Sequence, residues 1–182
     1  EFKVIKSNIF NSKKNNVDNV INEDLKTLEV KNLTFKYSKN EKLILNNLSF
    51  KLNKSSVLLI KGPSGTGKTT LLMNLIGIIK NNSGSIKWFE KDLSNYDQQY
   101  FRSLIGYVGP ETYIIAGSII DNLCYGLNYK PTQEDIEEAC LKSQCLEYIN
   151  SLNNKFNSVL SEQGEGLSMG QKQRLGLARA FL

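Results

Sequence analysis

Residues Gly62-Pro63-Ser64-Gly65-Thr66-Gly67-Lys68-Thr69 match the spacing G-x-x-x-x-G-K-[ST] at every fixed position. A nucleotide polyphosphate is a dense cluster of negative charge, and a site for it needs backbone N–H groups that can close around it without side chains in the way. Glycine permits that approach. A helix beginning near Lys68 adds unpaired amides and about half a positive charge at its N-terminus. In this arrangement Lys68 reaches the β- and γ-phosphates, and the Thr69 hydroxyl is a Mg²⁺ ligand. Gly62, Ser64, Gly65, Gly67 and Thr70 complete the nucleotide-binding set. An ordinary Gly-rich turn is the plainer explanation of the same residues.

A second anion site is suggested by Leu167-Ser168-Met169-Gly170-Gln171. Ser168 and Gln171 form an S-x-x-Q capping box, and Leu175, Ala178 and Leu182 recur on one face of the helix that follows. A cap alone is worth about 1 kcal/mol and needs no ligand to explain it. The same geometry also offers the Ser168 hydroxyl, the small Gly170, Gln171 and a ring of free amides, which together can hold an anion.

These residues need elements to position them. The apolar run 57–60 predicts a buried strand before the phosphate loop, and the pattern after it predicts a helix to about Ile79, ended by Asn81-Asn82-Ser83-Gly84. Alternating segments 28–35 and 43–52 predict two antiparallel strands joined by a polar turn at Ser38-Lys39-Asn40-Glu41. Short strands are expected at 85–89 and at 104–108, the latter cut off by Gly109-Pro110. From Gly117 the pattern is helical, with Thr132 capping 133–142 and a continuation over 145–152. Residues 1–27 are rich in Asn and Lys and read as a linker. No internal repeat is visible.

With 182 residues, 40% hydrophobic and 23% charged, the chain suits one domain with a real core. No stretch approaches the roughly eighteen consecutive apolar residues of a membrane span, and the N-terminus has no signal-peptide pattern. The net charge of +5 is interrupted by acidic residues throughout, which argues against a nucleic-acid-binding patch. Cys124, Cys140 and Cys145 have neither C-x-x-C nor metal spacing and are expected as reduced core residues of a cytosolic protein. Histidine is absent, which removes His-based acid-base chemistry and most zinc sites.

The two motifs together resemble the nucleotide-binding domain of ATP-binding cassette (ABC) transporters, whose signature L-S-G-G-Q opens a basic, Ala-rich helix. The resemblance runs from about Leu28 to Leu182. It implies an α/β fold: a P-loop NTPase-like ABC ATPase core with an antiparallel β subdomain and a helical subdomain at about 111–165, all within a cassette at 28–182. It further implies that two domains meet head to tail, so that Ser168 of one caps the γ-phosphate held by Lys68 of the other, with ATP and Mg²⁺ as cofactors. By the same comparison Tyr37 is similar to the aromatic that stacks on adenine. The stretch 105–123 resembles the exporter subclass, and Glu162-Gln163-Gly164 is similar to the acidic loop that touches the coupling helices of a transmembrane domain. The implied location is the cytoplasmic face of a membrane, as part of an integral transporter, with residues 1–27 linking to a preceding transmembrane domain.

Three departures qualify the resemblance. Pro110 stands where exporters carry a Gln that helps bind Mg²⁺, leaving Glu111 as the nearest substitute ligand. Met169 replaces a signature glycine. The Mg²⁺-binding Asp and catalytic Glu of the family would follow Leu182, so the chain is expected to be a piece of a longer protein that binds nucleotide without turning it over. A soluble ABC ATPase, a non-ABC P-loop kinase or GTPase, and a degenerate regulatory cassette remain alternatives.

Overall fold

A computed structural model of the chain describes residues 3–7, 26–38 and 42–182. The chain divides into two compact units, Glu1–Tyr100 and Phe101–Leu182. In order, it forms β1 (Lys3–Ser7), β2 (Lys26–Phe35), β3 (Leu45–Asn53), β4 (Val57–Lys61), α1 (Lys68–Leu75), β5 (Ser83–Trp88), β6 (Lys91–Asp92) and α2 (Gln98–Ser103). It continues with β7 (Gly117–Ser118), α3 (Ile119–Leu123), α4 (Gln133–Lys142), α5 (Leu146–Ser151), β8 (Val159–Leu160) and α6 (Met169–Phe181).

The first unit is built on an antiparallel sheet of order β3-β2-β5-β6. Alternation in β2 sends Leu28, Val30, Leu33 and Phe35 inward, where Leu45 and Ile86 from its neighbours are also buried. The expected pairing of 28–35 with 43–52 is present, with Val30 opposite Phe50. Of the turn proposed to join them, Lys39, Asn40 and Glu41 lie outside the described residues. Helix α1 buries Leu71 and Leu75, and its last turn is tied to β5 by Trp88 Nε1 donating to the Leu75 carbonyl at 2.8 Å. It ends before the expected Ile79 because Gly77 takes a left-handed φ of 71° and Ile78 N–H donates back to the Met73 carbonyl at 2.9 Å.

Two sequence expectations need correction in detail. The strand before the phosphate loop exists, as β4, but it is not buried: Val57 and Leu59 are 41% and 44% exposed. An all-apolar run is what a strand covered on both faces requires, and among the described residues its only ladder partner is β1, which runs antiparallel to it. Thus Lys3–Ser7, read from sequence as linker, lie in a strand; residues 8–25 of that stretch lie outside the described residues. The second correction concerns 104–108, which form no strand. A strand needs a ladder, and this segment instead lies along α6, where a Cβ on Gly106 would come within 2.7 Å of the Ala180 carbonyl oxygen.

The second unit is helical around one core that includes Ile114, Ile119, Leu123, Ile149, Leu175 and Ala178. Thr132 caps α4 over the residues the sequence indicated, and α5 follows as expected. Cys140 and Cys145 are buried, Cys124 partly so, and all three are free thiols. Thr112 packs against α6 where Gly176 leaves room; a Cβ there would meet the Thr112 hydroxyl oxygen at 2.7 Å. No described helix is long and apolar enough to cross a membrane.

Candidate nucleotide-binding site

The loop from Gly62 to Thr69 connects β4 to α1 and is largely exposed. Gly65 and Gly67 have φ of 78° and 88°, a left-handed conformation that strains other residues, and a Cβ on Gly65 would meet nothing within 4 Å. The Cβ position of Gly65 thus faces open space. Gly67 is the N-cap of α1 and supplies no side-chain cap, so the first amides of the helix have no side-chain acceptor from that residue. The first turn carries no acidic residue either. Both features keep the helix N-terminus available to an external anion.

Lys68 Nζ donates to the carbonyls of Gly62 and Pro63 at 2.9 and 2.7 Å, so its ammonium already lies over the loop. Thr66 Oγ1 donates to the Pro63 carbonyl at 2.8 Å and tightens the same bend. Ser64 and Thr69 are exposed. Thr70 is turned inward, 7% exposed, and its Oγ1 is 3.3 Å from the Tyr37 hydroxyl. Tyr37 is 59% exposed, and its ring stands edge-on to Phe35 with centroids 4.9 Å apart. A core aromatic and an inward-facing threonine of α1 thereby brace an exposed ring beside the loop, which suits a stacking platform.

The second group of site residues lies in the second unit. Ser168 Oγ accepts from Gln171 N–H at 3.2 Å, and Gln171 Oε1 accepts from Ser168 N–H at 2.7 Å, closing the reciprocal cap that the sequence indicated. Gly170 borders open space: a Cβ there would have only Arg174 Nη2 near it, at 3.9 Å, and the adjacent Met169 is exposed. Again the first turn lacks acidic residues. Lys172 Nζ donates to the Gln163 carbonyl at 2.7 Å, joining the short 162–164 turn to α6. Glu111 is exposed.

Sequence reasoning missed the anchor of α6. Arg179 in its last turn donates from Nε to the Asn122 carbonyl, from Nη2 to Asn122 Oδ1 at 2.9 Å, and from Nη1 to the Tyr113 carbonyl at 2.6 Å. Asn122 is fully buried and clamps the 115–118 segment through Ile115 N–H, the Ile115 carbonyl and the Ser118 carbonyl. An asparagine beside the apolar residues Ile119, Ile120 and Leu123 was the available signal, since a buried amide must find partners. Burial pushes the Arg179 guanidinium below its ordinary pKa.

A strand, a glycine-rich loop with a lysine over it, and a helix with an open N-terminus define a phosphate-loop nucleotide-binding protein. The profile of the family described as ABC transporter matches residues 45–182, and the chain belongs to that family as a nucleotide-binding domain. It is 35% identical over 164 residues to the lactococcin-G-processing and transport ATP-binding protein LagD of Lactococcus lactis, covering 90% of this chain and 23% of that protein. It is also 35% identical to the mitochondrial ATP-dependent permease MDL2 of Saccharomyces cerevisiae, covering 87% of this chain and 21% of the permease. A bacterial Atm1-family ABC exporter solved with ATP bound shares the fold at a TM-score of 0.75 and 24% identity, over 87% of this chain and 28% of the exporter chain. The chain therefore spans less than a quarter of the length of these two curated relatives.

Proposed function

We propose that the chain is the ATP-driven cassette of a membrane exporter: it binds Mg-ATP, pairs head to tail with a second such domain, and in a longer protein couples hydrolysis to transport. The observation that carries this reading is the presence of two helix starts, at Lys68 and Ser168, each free of acidic residues and each near a glycine, Gly65 or Gly170, whose missing Cβ would meet nothing closer than 3.9 Å. Relatives named as transporters and permeases support the exporter part. On this reading 28–182 are the cassette and 111–165 are its helical part, at the cytoplasmic face of the membrane.

Each residue has a role in it. Tyr37 stacks on the base, and Gly62, Ser64, Gly65, Gly67 and Thr70 shape the cradle. Lys68 holds the β- and γ-phosphates, while Ser168, Gly170 and Gln171 of the partner subunit close over the γ-phosphate. Lys68 and the incoming Ser168 then stabilise in-line attack by water on the γ-phosphorus. The described residues contain no cluster of three or more Asp, Glu, Cys or His. Mg²⁺ is commonly held by one or two protein oxygens together with phosphate and water. Thr69 in the phosphate loop would be one such oxygen. The metal would supply neutralisation of charge between the β- and γ-phosphates.

Titrating the chain with Mg-ATP tests the binding half. Lys68→Ala should weaken affinity about 10- to 150-fold, the worth of hydrogen bonds to charged groups. Equal affinity in the variant, or a strong preference for GTP, would overturn the reading. Pro110 favours a second reading, a regulatory cassette that binds ATP and barely hydrolyses it. Restoring Gln at position 110 in the longer protein should then raise turnover and leave affinity unchanged.

A further inference from the structure

The two threonines that follow Lys68 face different ways. Thr69 is exposed, whereas Thr70 is buried, with its hydroxyl 3.3 Å from that of Tyr37. The Thr70 carbonyl is itself tied, since the fully buried Asn74 donates to it from Nδ2 at 2.8 Å. Tyr37 is held at two further points. The main chain just before it is pinned by Lys36 N–H, which donates to Asn82 Oδ1 at 2.5 Å, and its ring meets the buried Phe35 at an interplanar angle of 86°. What the hydroxyl pair adds is a hold on the tip of the ring.

We propose, resting on the reading of Tyr37 as the base platform, that Thr70 is a positioning residue whose hydroxyl serves that ring rather than a phosphate. In this role it favours ligands that carry a base as well as a triphosphate. An exposed tyrosine gives up rotamer freedom when a base stacks on it, at a cost of about 2- to 13-fold in affinity. A ring already held in the unliganded protein has lost that freedom beforehand. Thr70 directly follows Lys68 and Thr69, so one turn of α1 sets both the phosphate end of the site and the place of the ring. An inorganic triphosphate engages the first alone; ATP engages both.

Calorimetric titration of the chain with Mg-ATP and, separately, with Mg-tripolyphosphate, which has no base, tests this. Thr70→Val replaces the hydroxyl by a methyl and should lower the ratio of ATP to tripolyphosphate affinity about 2- to 13-fold. Tyr37→Phe removes the other hydroxyl without touching the packing of α1 and should lower the ratio equally. The double variant should lose no more than either single one, and Thr70→Ser should restore most of the ratio. Equal loss of both ligands in Thr70→Val would mean that the hydroxyl meets a phosphate, and would overturn the proposal. So would an unchanged ratio, or additive losses in the double variant. A wild-type chain that binds both ligands equally well would instead refute Tyr37 as the base platform, and one that binds neither would refute the cassette reading.

Discussion

Helices α4 and α6 begin with the same reciprocal cap and put it to different use. Thr132 and Asp135 close the first, Ser168 and Gln171 the second, and in each the hydroxyl accepts from the third residue's N–H while that residue's side chain accepts from the cap's own N–H. The difference is charge. Asp135 brings a carboxylate, with Glu134 beside it, to the N-terminus of α4 and neutralises its positive end. Gln171 performs the same bonding with a neutral amide, so the positive end of α6 stays unspent. One motif thus serves stability at α4 and leaves a place for an anion at α6, and a count of capping boxes would not separate them.

The comparison can be broken most severely at Ser168. In the longer protein, Ser168→Ala should abolish most ATP-driven pairing and turnover while affinity of the isolated chain for Mg-ATP stays unchanged; sedimentation and phosphate release would show it. A milder change makes α6 a copy of α4. Gln171→Glu should preserve the cap and raise the melting temperature slightly, yet weaken nucleotide-dependent pairing at least about tenfold by setting a carboxylate against the γ-phosphate.

At α4 the consequences are confined to stability. Thr132→Ala should cost about 1 kcal/mol in denaturant unfolding with no change in nucleotide affinity. The smallest effect is expected from Asp135→Asn, and it depends on pH. The Thr132 hydroxyl, followed by the Thr132 amide, holds the Asp135 carboxyl below its ordinary value. Its contribution is therefore present above the unfolded-state pKa and lost as pH falls through the lower folded value. Variant and wild type should differ at neutral pH and begin to converge as pH falls below about 4, as read from melting curves.

Local signals were legible wherever a few neighbouring residues decide the structure. Gly67-Lys68-Thr69, Thr132, and Ser168 with Gln171 all lie where their side-chain types indicated, because caps and tight loops are settled within one turn. The apolar segments were harder. Residues 57–60 and 104–108 have the composition of buried strands, but burial and ladder pairing depend on distant partners that composition does not name. Gly77 was an overlooked stop signal within a run that otherwise looked helical. The Asn122–Arg179 contact joins residues far apart in sequence, and a polar side chain in an apolar stretch says only that it must be satisfied, not by what.

The partners of Arg179 are all neutral: two main-chain carbonyls, one amide oxygen and, 5.8 Å from its central carbon, the ring of Tyr125. Guanidinium does not lose its proton in proteins, and none of these oxygens gains one at ordinary acidity. The far end of α6 is consequently moored by something acid does not loosen, so acidification below about pH 4, which releases the carboxylate cap of α4, would leave the signature helix tethered.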